Sequence, residues 1–304
     1  MKASGFVMYS FEQLKIFVSV CEYGSFSAAA RKLKRAQSGV SQSVSNLEIT
    51  LNQPLFDRSG NTPVLTSEGK ALLPIAKSIL HQQLHFDQKV AALEARYEHE
   101  LVLAIEESLV GPDLLGKLGE LAEHFPMTNI DITAASTFDI KQMVSQGKAH
   151  IGVVYADGSM QDDIDFVTLG YNHFITVSSP SHPLADLPSV KDTDLRNYRQ
   201  LVQRSSSGKE LWFSYAISSQ VWYASSHQIL LALAEQGVGW TIVPKQLAAM
   251  SLDTGTLQAL NIEYEPNGWM NTIDLVTTRR HQSGPVREAI VEVLRMVFGH
   301  REKR

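Results

Sequence analysis

The chain has 304 residues, 44% hydrophobic and 19% charged, which is enough apolar length for two or three domains with their own cores and excludes a disordered or fibrous protein. Its net charge of −5 conceals an asymmetry: residues 1–96 carry 11 Lys/Arg against 7 Asp/Glu, a net +4, and residues 97–304 carry 16 against 25, a net −9. A basic N-terminal part on an acidic body confines contact with a polyanion to the first third and predicts that salt weakens it steeply.

The one cysteine, Cys21, excludes an intrachain disulfide and fits a reducing cytoplasm. It lies one turn from Phe17 and Val18 and is read as core packing. Residues 1–9 hold one lysine and a short apolar patch, and are expected to be a flexible extension rather than a secretion leader. The longest uncharged stretch, residues 211–234, is interrupted by serines, glutamines and His227, so no membrane span is expected.

In chain order, the run from Gly24 to Leu33 predicts a helix capped by Ser27, whose three alanines allow another backbone to approach closely. Lys34, Arg35 and Ala36 interrupt it. From Gln37 to about Leu51, Val40, Val44, Leu47 and Leu51 recur at i, i+4, i+7 and i+11 and define an inward face. The opposite face carries Gln37, Ser38, Ser41, Gln42 and Ser45, small or amide side chains that fit a major groove, where glutamine pairs bidentately with adenine. Lys34 and Arg35 stand in the turn before that helix, where cations and helix N-terminal amides meet phosphates. After Leu55 and Phe56, the segment 57–65 reads as a hairpin turning at Ser59, Gly60 and Asn61. Arg58 at its base and Asn61 and Thr62 at its tip suit a second contact in the minor groove or on the backbone. Spacing alone leaves open an ordinary helical domain with solvated loops.

Across residues 14–69, the run Leu14, Phe17, Val18, Gly24 to Ala30, Leu33, Gln37, Val40, Ser41, Leu47, Glu48, Leu55 to Arg58, Leu65, Thr66 and Gly69 is similar, nearly position for position, to the winged helix–turn–helix of LysR-type transcriptional regulators. Ala36 stands where the family usually has a serine cap, and Gln42 where it often has arginine. The resemblance implies a DNA-binding regulator whose DNA-contacting set is Ser27, Lys34, Arg35, Gln37, Ser38, Ser41, Gln42, Ser45, Arg58, Asn61 and Thr62.

Thr66 is placed to cap a long helix running to about Tyr97. Leu72, Ile79, Phe86 and Leu93 recur every seven residues along it, with Ala76, Gln83 and Val90 four places on, a coiled-coil seam that predicts dimerisation, with Gln83 fixing register. Pro74 is expected to kink the first turns. His81 and His85 have metal-ligand spacing but no third ligand nearby, so no metal is assigned.

From residue 101 the texture alternates between short apolar runs and helical periodicity. Strands are expected at 101–105, 130–134 and 151–154 with helices at 112–125 and 138–146, then two strands at 166–169 and 174–178. A helix near 190–195, strands at 201–204, 221–224 and 240–243 and helices at 226–236 and 245–250 form a second unit. A strand at 273–278 and a helix at 285–298 return the chain to the first. This resembles the two-lobed, periplasmic-binding-protein-like effector domain of the same family, and residues 234–244 match its helix–turn–strand.

The whole therefore reads as an all-α winged helix–turn–helix domain (10–69), a long linker and dimerisation helix (70–98) and a two-lobed α/β effector domain (99–304). The first lobe is expected at about 99–170 and 271–304 and the second at 171–270.

In such architectures ligands bind at the carboxyl ends of the strands. The candidate ligand residues are Glu106, Glu107 and Ser108 after the first strand, Ser136 and Thr137 after the second, and Arg204, Ser205 and Ser206. Arg204 is expected to hold a carboxylate bidentately, with Ser136 and Thr137 as donors at a helix N-terminus. Glu106 and Glu107 would repel an anion unless paired with Arg204 or protonated, which points instead to a polar or cationic ligand. No catalytic constellation, metal cage or cofactor motif is visible: Asp162, Asp163 and Asp165 read as a solvated acidic loop. The expected partners are double-stranded promoter DNA, the chain itself as a dimer of dimers in the cytoplasm, a small-molecule effector and RNA polymerase, with no membrane. A solute-binding module or enzyme built on the α/β body, and a regulator without a ligand, remain open.

Overall fold

A computed structural model of the chain describes residues 8–59, 63–159, 161–279 and 284–299. Contacts divide it into two units, Met1–Ala95 and Arg96–Arg304. Among the described residues, no helix is long and apolar enough to cross a membrane.

The first unit contains helices α1 (Phe11–Tyr23), α2 (Phe26–Leu33), α3 (Gln37–Leu51) and α4 (Ser67–Glu94) and the short strands β1 (Phe56–Asp57) and β2 (Val64–Leu65). Helix α1 begins in a reciprocal capping box between Ser10 and Gln13 and ends at Gly24, whose φ of 71° only glycine adopts cheaply. That early stop moves the next cap forward. Ser25, not Ser27, caps α2, its hydroxyl accepting from the N–H of Ala28, and Ser27 lies in the first turn. Lys34 closes α2 in the left-handed region. Helix α3 starts at Ala36 with no side-chain cap, as the substitution of alanine for serine implies.

Val40, Val44 and Leu47 are completely buried, packed with Ile16, Phe17, Ala29, Ala30, Leu55 and Phe56; each such branched or aromatic side chain contributes roughly 1.5–3 kcal/mol. Leu51 is only half-buried. β1 and β2 pair antiparallel, Phe56 opposite Leu65, forming the expected hairpin base; Asn61 and Thr62 lie outside the described residues. Thr66 caps α4 through the N–H of Gly69. A Cβ at Gly69 would sit 2.2 Å from the Leu55 carbonyl oxygen, so glycine lets α4 pack directly against the hairpin.

Helix α4 differs from expectation in two ways. It ends at Glu94 and not near Tyr97, because Arg96 takes a left-handed φ of 57° and Tyr97 instead packs edge-on against Phe125, 5.1 Å away, in the second unit's own core. The seven-residue seam is also divided. Leu72, Ala76 and Ile79 pack on the core of the first unit, whereas Phe86, Val90 and Leu93 are exposed and Gln83 is half-buried.

The second unit is a nine-stranded mixed sheet flanked by helices. In chain order it contains β3 (Glu100–Glu106), α5 (Pro112–His124), β4 (Asn129–Ala135), α6 (Thr137–Ser145), β5 (Ile151–Tyr155), β6 (Ile164–Ser178), α7 (Asp192–Arg196), β7 (Gln200–Gln203), β8 (Val221–Ala224), α8 (His227–Glu235), β9 (Trp240–Pro244), α9 (Lys245–Asp253), β10 (Gln258–Ala259), β11 (Trp269–Thr278) and α10 (Pro285–Gly299). Along the sheet the order is β4-β3-β5-β11-β6-β9-β7-β8, with β10 also on β6. β3 is parallel to β4 and β5, and β7 is parallel to β8 and β9. These two β-α-β halves are joined through the antiparallel pair β6 and β11.

The two strands expected at 166–169 and 174–178 are one 15-residue strand. Gly170 and Asn172 look like turn chemistry in sequence, but Gly170 is there because the Phe298 carbonyl oxygen lies 2.3 Å from where its Cβ would be. The irregularity is taken up as a register shift opposite Ile273 and Asp274. Val190, assigned to a helix by periodicity, bridges Ile262 instead, and α7 begins at Asp192.

Candidate functional site

On the first unit, Lys34, Arg35, Gln37, Ser38, Gln42 and Arg58 are exposed, and Ser27, Ser41 and Ser45 are half-buried. Helix α3 carries Ser38, Ser41, Gln42 and Ser45 on the side away from Val40, Val44 and Leu47, as the 3.6-residue period requires, and Gln37 is exposed in its first turn. Several are already engaged. Arg35 pairs with Glu12 at 2.9 Å, and Gln42 donates to Asn46 at 2.9 Å. Arg58 donates to Glu48 at 2.8 Å and to Ser45 at 3.1 Å while stacking over Phe26. Glu48 also accepts from the N–H groups of Leu55 and Phe56 at 2.8 and 3.0 Å. One carboxylate on α3 thereby fixes both the start of the hairpin and the direction of its arginine.

In the second unit, Glu106, Glu107 and Ser108 follow β3 at its carboxyl end, and Ser226 and His227 follow β8 at the carboxyl end of the other half. Glu106 is fully buried. One of its oxygens accepts from the N–H of Ser108 at 2.9 Å and from the Ser108 hydroxyl; the other accepts from Gln203 at 3.2 Å. Asn172 donates to the Tyr155 hydroxyl at 2.7 Å, which lies 3.0 Å from the Ser108 hydroxyl, so a chain of donors runs from Asn172 to Glu106. Burial pushes the Glu106 carboxyl above the ordinary range.

Glu107 accepts from the backbone N–H of His227, from its ring Nδ1 at 3.1 Å, and from the Ser226 hydroxyl at 3.2 Å. Burial opposes ionisation here too, but these donors and the charge of His227 hold the carboxyl below the ordinary range. His227 Nδ1 is also 3.8 Å from Glu106. Among the described residues, Glu106, Glu107 and His227 are three possible metal donors whose ligand atoms all lie within 4.8 Å.

The structure changes the expected ligand set. Thr137 neither caps its helix nor offers a free hydroxyl: it is buried and accepts from the Tyr155 N–H at 3.1 Å. Ser136 is the cap and is bonded to Asp139. Asp139 accepts from the N–H of Ser206 at 3.1 Å and from its hydroxyl, a second link between the halves. Ser205 accepts from the Lys209 N–H at 2.9 Å and lies 3.0 Å from Ser207.

Arg204 is not available to a carboxylate ligand. Glu210 takes its guanidinium at 2.5 Å, and its other face stacks on Tyr223. The glutamates are paired with His227, not with Arg204. His227, Gln203, Ser226, Asp139 and Tyr155 were not assigned from sequence. The signal for His227 was present, since it opens the helix after the carboxyl end of β8 in one half, the place Glu107 takes after β3 in the other.

Comparison with known proteins matches both units. A bacterial regulatory helix–turn–helix of the LysR family covers residues 11–70, and the LysR substrate binding domain covers residues 94–299. Over 93% of its length the chain is 29% identical to the HTH-type transcriptional regulator AceR of Acinetobacter baumannii, spanning 96% of that protein. It is also 29% identical to the multiple virulence factor regulator MvfR of Pseudomonas aeruginosa, over 86% of this chain and 78% of that one. Solved structures share the fold. A cysteine mutant of Corynebacterium glutamicum OxyR has a TM-score of 0.57 at 23% identity, covering 95% of this chain and 93% of that one. CbnR, a LysR family transcriptional regulator, has 0.53 at 21%, covering 94% of this chain and 100% of that one. The exposed amide and hydroxyl face of α3, the α/β body and these matches together establish that the chain belongs to the LysR family of DNA-binding transcriptional regulators.

Proposed function

We propose that the exposed face of α3, led by Gln37 and Ser38, reads promoter DNA in the major groove, with Lys34 and Arg35 on phosphates and Arg58 at the base of the hairpin beside them. The observation that carries this is the two-faced character of α3: Val40, Val44 and Leu47 are sealed in the core, while Gln37 and Ser38 are exposed. Neither of these two side chains bonds another described residue, so both are free to meet base edges.

The divisions at 10–69, 70–98 and 99–304 serve reading, pairing and sensing. Pairing uses the outer part of α4, where Phe11, Ile79, Gln83 and Phe86 line a groove of 590 Å³ and Phe86 is 67% exposed. An apolar groove on a helix with heptad periodicity is covered by a second copy; two such dimers form a tetramer. The sensing domain holds a small molecule where the two α/β halves meet, around Glu106, Glu107 and Ser206, and acts without catalysing a reaction. Its occupancy shifts which arrangement of the halves is populated, and hence how the dimers grip DNA and present it to RNA polymerase in the cytoplasm.

The test is a gel-shift titration of the purified chain on DNA from the region upstream of its own gene. A retarded complex that competes with unlabelled specific DNA supports the reading, and equal competition by scrambled DNA overturns it.

A further inference from the structure

We propose that the molecule held between the two α/β halves is an organic cation, an amine or a guanidine, whose head takes the places of His227 and Gln203 on the carboxylates of Glu106 and Glu107. This rests on the reading above that the meeting of the halves is the ligand site, and names the chemistry that site accepts.

The first ground is the balance of charge. The half containing β3 and α6 brings Glu106, Glu107 and Asp139 to the junction, and the other half answers with a single imidazole, amides and hydroxyls. The cations in the vicinity are committed elsewhere. Arg204 is bound by Glu210, Lys141 is buried against Asp157 at 2.8 Å, and Lys209 lies over the ring of Phe138. Among the described residues, the ion-pair partner of the two carboxylates is His227 alone, so an anionic ligand would meet an excess of negative charge, whereas a cation supplies the missing charge.

The second ground is geometry. His227 Nδ1 and Gln203 Nε2 approach the two glutamates at 3.1 and 3.2 Å, ordinary N–H···O distances. An ammonium or guanidinium nitrogen satisfies the same oxygens from the same positions, and brings a full charge that the Gln203 amide lacks.

The third ground is the wall behind these carboxylates. Tyr155 packs on Phe174 at 4.9 Å, Phe174 on Phe213 at 4.5 Å, and Phe174 lies 6.4 Å from the His227 ring. Aromatic faces beside carboxylates suit a cation and its apolar stem. The domain match, a substrate binding domain over residues 94–299, independently places a ligand in this unit. Displacing His227 frees the N-terminus of α8 from Glu107, so binding at the carboxylates is coupled to the contact between the halves.

The experiment uses the full-length protein. Its melting temperature is measured with short primary alkylamines and alkylguanidines, with carboxylates of equal length, and with zinc ion alone. An amine or guanidine should raise the melting temperature while the carboxylates leave it unmoved. In Glu107→Gln its affinity, read by calorimetry, should fall by about tenfold or more, the worth of one charge-assisted hydrogen bond. Glu106→Gln serves as the second variant, and a cooperative melt without ligand shows that each is folded.

No response to any amine or guanidine overturns the proposal. So does a response confined to carboxylates or to zinc alone, or an amine response undiminished in both variants. The gel shift is run in parallel: operator binding without an amine response sinks this inference alone, whereas absence of operator binding by the unaltered protein sinks the regulator reading.

Discussion

His227 donates twice to Glu107, from its backbone N–H and from ring Nδ1 at 3.1 Å, so the start of α8 is tied to the end of β3 in the other half of the sheet. Glu106, one residue before, is fully buried and shares the same imidazole at 3.8 Å. The two neighbours respond to pH in opposite senses. Glu107 is held below the ordinary carboxyl range, so its contribution to stability is present above about pH 4.3 and is lost as pH falls through its folded value. Glu106 is raised, so the fold loses stability as pH rises from about 4.3 toward its folded value.

Glu106→Gln removes the second effect, keeping an acceptor for Ser108 without a buried charge. The variant should melt higher than the parent at pH 8, by about 3–5 °C for each pH unit by which the carboxyl is raised. The difference should shrink as pH falls through the raised folded value of the parent's glutamate and vanish toward about pH 4.3. Melting curves across that range check it, and a variant less stable than the parent at pH 8 contradicts the assignment.

Lys141 and Asp157 form a buried ion pair at 2.8 Å, their side chains 3% and 6% exposed, with Ser159 completing the lysine's bonds. Asp157→Ala should cost about 3–5 kcal/mol, because it leaves an ammonium uncompensated inside the protein. Lys141→Met combined with Asp157→Leu should cost much less. Denaturant titration of the three proteins measures both, and equal losses in the single and double variants would show that the charge pair is not the source of the cost.

Glu48 accepts from Leu55, Phe56 and Arg58. Glu48→Ala should release the hairpin from α3, with a loss of about 2 kcal/mol, roughly 30-fold in hydrogen-exchange protection at the Leu55 and Phe56 amides. Protection unchanged at those two amides would contradict this role.

The divided seam of α4 makes a selective prediction. Phe86→Asp, at an exposed position, should weaken self-association by about tenfold or more while leaving the first unit's core intact. Leu72→Asp strikes the packed half of the seam and should lower the melting temperature at any protein concentration. Sedimentation and thermal melts separate the two. If Phe86→Asp left association untouched, pairing would lie elsewhere.

How much of this was legible in sequence depended on whether a residue's role is local. Val40, Val44 and Leu47 announced their face by spacing alone, and Ala36 did its work within a few positions. The ends of elements were harder to read. Ser25 and Ser27 are both capping residues, and only the exact stop of α1 at Gly24 decides between them. The need for Gly170 is invisible locally because the Phe298 carbonyl it accommodates lies 128 positions away. At the candidate site, Glu106 and Glu107 are legible as carboxylates at the end of a strand. Pairing with Arg204, one of the alternatives sequence leaves open, does not form because Arg204 has Glu210 six residues on, while His227 reaches Glu107 across 120 positions. The heptad pattern on α4 was likewise real, but periodicity does not say which apolar positions a chain keeps for its own core.

The central claim is that α3 reads sequence while the cations around it supply affinity. Fluorescence anisotropy with the native upstream DNA and a scrambled control, over a range of salt, tests this most directly with Gln37→Ala and Arg35→Ala. Gln37→Ala should lose preference for the native sequence by about 5- to 100-fold with little change on scrambled DNA. Arg35→Ala should weaken both DNAs alike and lower the salt slope by about one. An unaltered protein that binds native and scrambled DNA equally, or a Gln37→Ala variant that keeps the full preference, would contradict the account.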